Sequence, residues 1–122
     1  MSIKPIWSPS EDLVAQSNLT SFQKYINSKY STNFKTYHSL HKWSFNSLNE
    51  FWSSLIEYEK IIYEGSLLPH IDGDVCMPGT KWYTNMKLNF AQNLLKLNDD
   101  SIAIESHSES GKISEITFKE LN

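Results

Sequence analysis

The sequence has 122 residues and a formal charge of -3, from 11 lysines and 14 acidic residues, with no arginine at all. That length allows one modest domain, and the acidic balance without arginine excludes the basic grooves and bidentate contacts of a nucleic-acid binder. An aromatic content of 13% supplies material for a core, which argues against general disorder, and no apolar run approaches the roughly 18 residues of a membrane span.

The opening stretch, Met1 to Trp7, lacks the long apolar segment of a secretory signal, so a cytoplasmic location is expected. Ser8-Pro9-Ser10-Glu11 then reads as a helix start, with Ser8 as cap, Pro9 in the first turn and Glu11 completing the box. This helix should be short and bury Leu13 and Val14. A second helix begins near Asn18, because Leu19, Phe22, Ile26 and Tyr30 recur at helical spacing with Lys24 and Lys29 off that stripe. Ser31-Thr32-Asn33 reads as the turn that ends it.

Tyr37, Leu40 and Trp43 share one side of a short helical turn, and Ser44 to Asn46 interrupts the pattern. Ser47 and Glu50 form another capping box, ahead of Leu48, Phe51, Trp52, Leu55 and Ile56. This is the clearest amphipathic helix of the chain, and its aromatic stripe reads as a core or docking face. A rival reading takes the Phe51–Trp52 face for the peptide-binding surface of an independent helical interaction module.

Gly65, Pro69, Gly73, Pro78 and Gly79 punctuate the middle, so residues 64–80 read mainly as an extended connection. Such a length without regular structure fits a segment crossing something larger, with Trp82 and Tyr83 as apolar anchors. A helix is expected over 88–96, with Leu88, Ala91, Leu94 and Leu95 on one face, broken by Asn98-Asp99-Asp100. Ile102-Ala103-Ile104 and the run of Ile113, Ile116 and Phe118 then make a hairpin around the polar stretch from Ser106 to Lys112. A lone hairpin is marginal in water. Thr117 and Glu120 have capping-box spacing, yet too few residues follow for an independent helix. The chain therefore reads as the front piece of a larger protein.

Catalytic chemistry is sparse. Cys76 is the single cysteine, which precludes an internal disulfide and is expected to be a small buried apolar residue. His38 and His41 stand three apart without the further ligands of a metal set. Asp72 and Asp74 flank Gly73 as turn residues, and no twelve-residue calcium loop surrounds them. Lys81 follows a single glycine in Met77-Pro78-Gly79-Thr80-Lys81, which is no phosphate-binding nest. No catalytic, cofactor-binding or metal-binding residue is therefore assigned.

Several phrases, in order, resemble the start of the acetoacetyl-CoA synthetase family, acetoacetate–CoA ligases of the AMP-forming acyl-CoA synthetase superfamily. They are Ile6-Trp7-Ser8-Pro9-Ser10, Asn18-Leu19-Thr20-Ser21-Phe22 and Tyr37-His38-Ser39-Leu40-His41-Lys42-Trp43-Ser44. Phe51-Trp52, Met77-Pro78-Gly79-Thr80-Lys81-Trp82-Tyr83 and Leu88-Asn89-Phe90-Ala91-Gln92-Asn93-Leu94-Leu95 continue the series. The phrases favour the acetoacetyl branch over acetyl- and propionyl-CoA synthetases.

The resemblance implies a parent enzyme that uses ATP, CoA and Mg2+ and turns acetoacetate into acetoacetyl-CoA, AMP and pyrophosphate through an acyl-adenylate. It also implies an α+β fragment, expected to be inactive alone. Residues 1–63 would be a helical N-terminal extension, 64–87 an extended connection, and 88–122 a helix and β-hairpin opening the large α/β catalytic domain. Its phosphate loop and catalytic lysine would lie past Asn122. Trp7, Phe22, Trp43, Phe51, Trp52, Trp82 and Asn89 are then expected to anchor the segment on the remainder of the same polypeptide. The fragment alone is expected to expose apolar surface and self-associate.

Overall fold

A computed structural model describes residues 6–122. The opening residues 1–5, on which part of the reading of a missing secretory signal rests, lie outside the described residues. Backbone contacts divide the chain into two units, one ending at Lys60 and one running from Ile61 to Asn122.

The first unit is helical. Helix α1 (Glu11–Ala15) starts at Ser10, whose hydroxyl accepts from the Leu13 amide. Ser10, not Ser8, is therefore the cap, and Leu13 and Val14 remain exposed rather than buried. A five-residue helix has too little surface to enclose both. Helix α2 (Asn18–Tyr30) is capped by Ser17 and ends where Ser31 enters the left-handed region at φ 52°. Its stripe buries Phe22 and Ile26. Asn27 holds the following loop: its Oδ1 accepts from the Phe34 amide at 2.8 Å and its Nδ2 donates to the Phe34 carbonyl at 2.9 Å.

Helix α3 (Tyr37–Asn46) opens with a capping box between Thr36 and Ser39. It runs through Ser44 to Asn46 instead of stopping there, since the Ser44 hydroxyl bonds back to the His41 carbonyl inside the helix. Helix α4 (Leu48–Tyr58) follows as expected, but Ser47 makes no side-chain cap bond and contributes only its carbonyl, to the Phe51 amide. Phe22, Ile26 and Leu40 form the core, with Tyr25, Tyr30, Phe34, Trp43, Phe51, Leu55 and Tyr58 packed around them. Fully burying a side chain such as Ile26 contributes about 1.5–3 kcal/mol before entropy is counted.

The second unit is strand-rich. Strands β1 (Tyr63–Gly65) and β4 (Met86–Leu88) pair antiparallel, enclosing a second pair, β2 (Ile71–Asp72) with β3 (Lys81–Trp82). Residues 64–80 are thus part of a nested pair of ladders rather than a bare connection. The ladders are two or three residues long, too short for alternation to mark them in the sequence. Helix α5 (Phe90–Leu94) is shorter than expected because Leu88 is used in β4.

Strands β5 (Ile102–Ser108) and β6 (Gly111–Thr117) form the expected hairpin, longer and with a tighter turn than the polar stretch suggested. Phe118 belongs to α6 (Phe118–Leu121), not to the second strand, and the Thr117–Glu120 capping box forms. Among the described residues of this unit only Tyr83 is buried.

Candidate functional site

The seven residues expected to be anchors fall into three environments. Phe22, Trp43 and Phe51 belong to the helical unit itself: Phe22 meets Phe51 edge-on at 6.0 Å, and Trp43 packs on Tyr30 at 5.4 Å and on Phe34 at 5.8 Å. Trp7, Trp52 and Trp82 keep exposed surface, with Trp7 73% exposed. Trp52 lies edge-on to Phe51 at 5.2 Å, and Trp82 faces Ile71 across the β2–β3 ladder. Asn89 is a local cap, its Oδ1 accepting from the Gln92 amide at 3.2 Å.

An open cavity of about 380 Å3 lies among α2, α3 and α4, walled by Leu19, Phe22, Tyr37, Leu40, Phe51 and Tyr58. His41, stacked on Tyr37 at 5.6 Å, lies at this cavity together with Glu59. Such a cavity can accept an apolar side chain or helix face; Ser44 also lines it, with its hydroxyl bonded to the His41 carbonyl at 2.8 Å.

Polar groups of the helical unit serve packing. Lys29 Nζ bonds Glu57 Oε2 at 2.5 Å and Tyr25 Oη at 3.3 Å, and lies 5.5 Å and 5.6 Å from the Tyr25 and Tyr30 ring centres. Burial acts to lower the Lys29 pKa, but its bonds to Glu57 and Tyr25 outweigh this and leave it above its ordinary value. The Lys29 bond, followed by Tyr25, holds the Glu57 carboxyl below its ordinary value. Tyr30 Oη meets the fully buried Ser54 hydroxyl at 2.9 Å. This last contact went unread in the sequence, where Ser54 sits unmarked in the α4 stripe.

The second unit is held by side-chain amides. Asn93 Oδ1 accepts from the Ile62 amide at 2.7 Å and Asn93 Nδ2 donates to the Ile62 carbonyl at 2.8 Å. Asn85 Nδ2 donates to the Leu68 carbonyl at 2.9 Å. Cys76 is exposed, which corrects the expectation of burial. Thr80 fixes its loop, accepting from the Cys76 amide at 2.8 Å and donating to the Cys76 carbonyl at 2.6 Å, so the thiol sits on a surface turn instead of facing a core.

Among the described residues, no cluster of three His, Cys, Asp or Glu side chains is placed to hold a metal ion. Likewise, no described helix is long and apolar enough to cross a membrane. Lys81 faces Asp72 across the β2–β3 ladder.

No family model matches the chain. It is 28% identical over 118 residues to an acetoacetyl-CoA synthetase of Rhizobium meliloti, covering 97% of this chain and 18% of that protein. A malonamoyl-CoA synthetase of Penicillium aethiopicum is 33% identical over 107 residues, covering 82% of this chain and 15% of that protein. The acetoacetyl-CoA synthetase of Xenopus tropicalis is 30% identical over 126 residues, covering 99% and 18%. The structure of an acetoacetyl-CoA synthetase from Streptomyces lividans superposes with a TM-score of 0.85 at 26% identity, over 98% of this chain and 19% of that one. The chain thus spans under a fifth of the length of these relatives. It corresponds to an N-terminal segment of the acetoacetyl-CoA synthetase family.

Proposed function

We propose that this chain is the N-terminal structural portion of a ligase that converts acetoacetate, ATP and CoA to acetoacetyl-CoA, AMP and pyrophosphate through an acyl-adenylate. The observation that carries the reading is the TM-score of 0.85 over 98% of the chain. In this reading residues 1–63 are a helical extension, 64–87 connect it, and 88–122 open the large α/β domain of an adenylate-forming enzyme. Trp7, Trp52 and Trp82 keep exposed apolar surface for docking onto the remainder of the polypeptide, while Phe22, Trp43 and Phe51 stiffen the extension from within. Asn89 starts the helix that leads into the large domain.

The parent would use Mg2+ to offset phosphate charge. The described residues do not fit that role: they offer no three-ligand metal cluster, and Gly79 lacks the repeated backbone amides of a phosphate cradle. In this reading turnover belongs to the rest of a cytoplasmic polypeptide, and the chain alone would be inactive and prone to associate through its apolar surface.

The test compares the full-length protein with residues 1–122 in an assay of AMP release. The full-length protein should release AMP with acetoacetate, ATP and CoA, and less with malonamate, acetate or propionate. No acid-dependent AMP from the full-length protein, or turnover by 1–122, would overturn the reading.

One observation favours a second reading, an independent helical interaction module: the open apolar cavity on the helical unit. Saturable binding of an apolar helical peptide, retained in the full-length protein, would support it. Burial of that cavity in the longer chain would remove its basis.

A further inference from the structure

The β5–β6 hairpin is two-sided in a way that fixes how it can be covered. Ile104 faces Ile116 directly across the ladder, and the next rung pairs Glu105 with Glu115. Successive side chains of a strand point to opposite faces, so the isoleucine pair and the glutamate pair lie on opposite sides of the ribbon. Ile104 is 46% exposed and Ile116 is 39% exposed. The glutamate side is charged, with Lys112 Nζ 2.9 Å from Glu105 and also in contact with Glu115.

A two-stranded ribbon is marginal alone and needs a further layer, and Tyr83 is the only buried residue among the described residues of this unit. Covering the isoleucine side removes apolar area from water at a gain. Covering the glutamate side would desolvate two like charges sharing one lysine, which is costly.

We infer that the hairpin docks by its Ile104–Ile116 face onto the remainder of the same polypeptide, leaving the Glu105–Glu115 face in water. The occupant follows from length: this chain accounts for 18% of the Rhizobium meliloti relative, so most of such a protein lies outside it. This inference rests on the reading of the chain as part of a longer ligase and adds the orientation of the docked hairpin.

Thiol labelling tests it. In a Cys76→Ser background, Ile104→Cys and Glu105→Cys are introduced separately into the full-length protein, other native cysteines being replaced, and into 1–122. In 1–122, diluted until it is monomeric, both thiols should react at similar rates. In the full-length protein position 104 should react on the order of 100-fold more slowly, and position 105 should stay reactive. A reactive 104 or a blocked 105 in the full-length protein would overturn the orientation. Slow labelling of 104 in the full-length protein that strengthens with protein concentration would assign the face to a second copy and overturn the choice of occupant. An Ile116→Cys variant repeats the test should Ile104→Cys fail to fold. Acetoacetate-dependent AMP release, measured on the same full-length protein, separates the two ideas. Activity with an open 104 sinks only the docking, and inactivity with a covered 104 sinks only the ligase reading.

Discussion

Glu105 and Glu115 stand directly opposite each other across the β5–β6 ladder, and one lysine, Lys112, contacts both carboxylates. Like charges in facing positions destabilise a sheet. The bonds to Glu115 and then Glu105 hold the Lys112 pKa above its ordinary value, so the ammonium persists further into the alkaline range. Replacing Lys112 by Met should therefore speed amide exchange across the hairpin. The further change Glu105→Gln should restore much of the protection. Equal exchange in wild type and Lys112→Met would show that the lysine does not offset the pair.

The Lys29–Glu57 contact joins α2 to α4 and predicts a plateau of stability against pH. Glu57 titrates below its unfolded value of 4.5, so its contribution is present above that value and is lost as pH falls through the folded one. Lys29 titrates above 10.5, so its contribution is present below that value and is lost as pH rises through the folded one. Solvent screening keeps the effect at or below about 1 kcal/mol. Thermal melts of Glu57→Gln should lack the acid limb attributable to this pair. An unchanged acid limb would contradict the assignment.

Ile26 is fully buried between the faces of the helical unit. Truncation to Ala should cost about 2–5 kcal/mol, the range for a large-to-small change in a packed core. Urea titration followed by far-ultraviolet circular dichroism measures this. A loss well under 1 kcal/mol would mean that the helices do not pack as described.

Gly65 sits at φ +89°, and a Cβ there would lie 2.2 Å from the Asn85 carbonyl oxygen. Gly73 has φ +84° but open space around it. Ala at position 65 should therefore be worse than Ala at 73, which carries only the backbone strain of about 1 kcal/mol. Amide exchange at Ser66, whose amide donates to the Asn85 carbonyl at 3.1 Å, reports the difference.

Periodicity alone located α2 and α4, because a 3.6-residue apolar repeat is a local fact of the chain. It also located the hairpin, through isoleucines bounded by polar turn residues, and the Thr117–Glu120 box, whose partners are three residues apart. The ordered phrases from Trp7 to Leu95 pointed to the family. Only the tertiary structure decided which pairings formed between distant residues. The nested ladders joining Tyr63 to Leu88 and Ile71 to Trp82 have rungs too short to leave a pattern. The exposure of Cys76 depends on Thr80 closing its turn, and the burial of Ser54 depends on Tyr30 from another helix. Spacing sets which side chains share a face, but which faces meet is fixed by contacts between residues far apart in the chain.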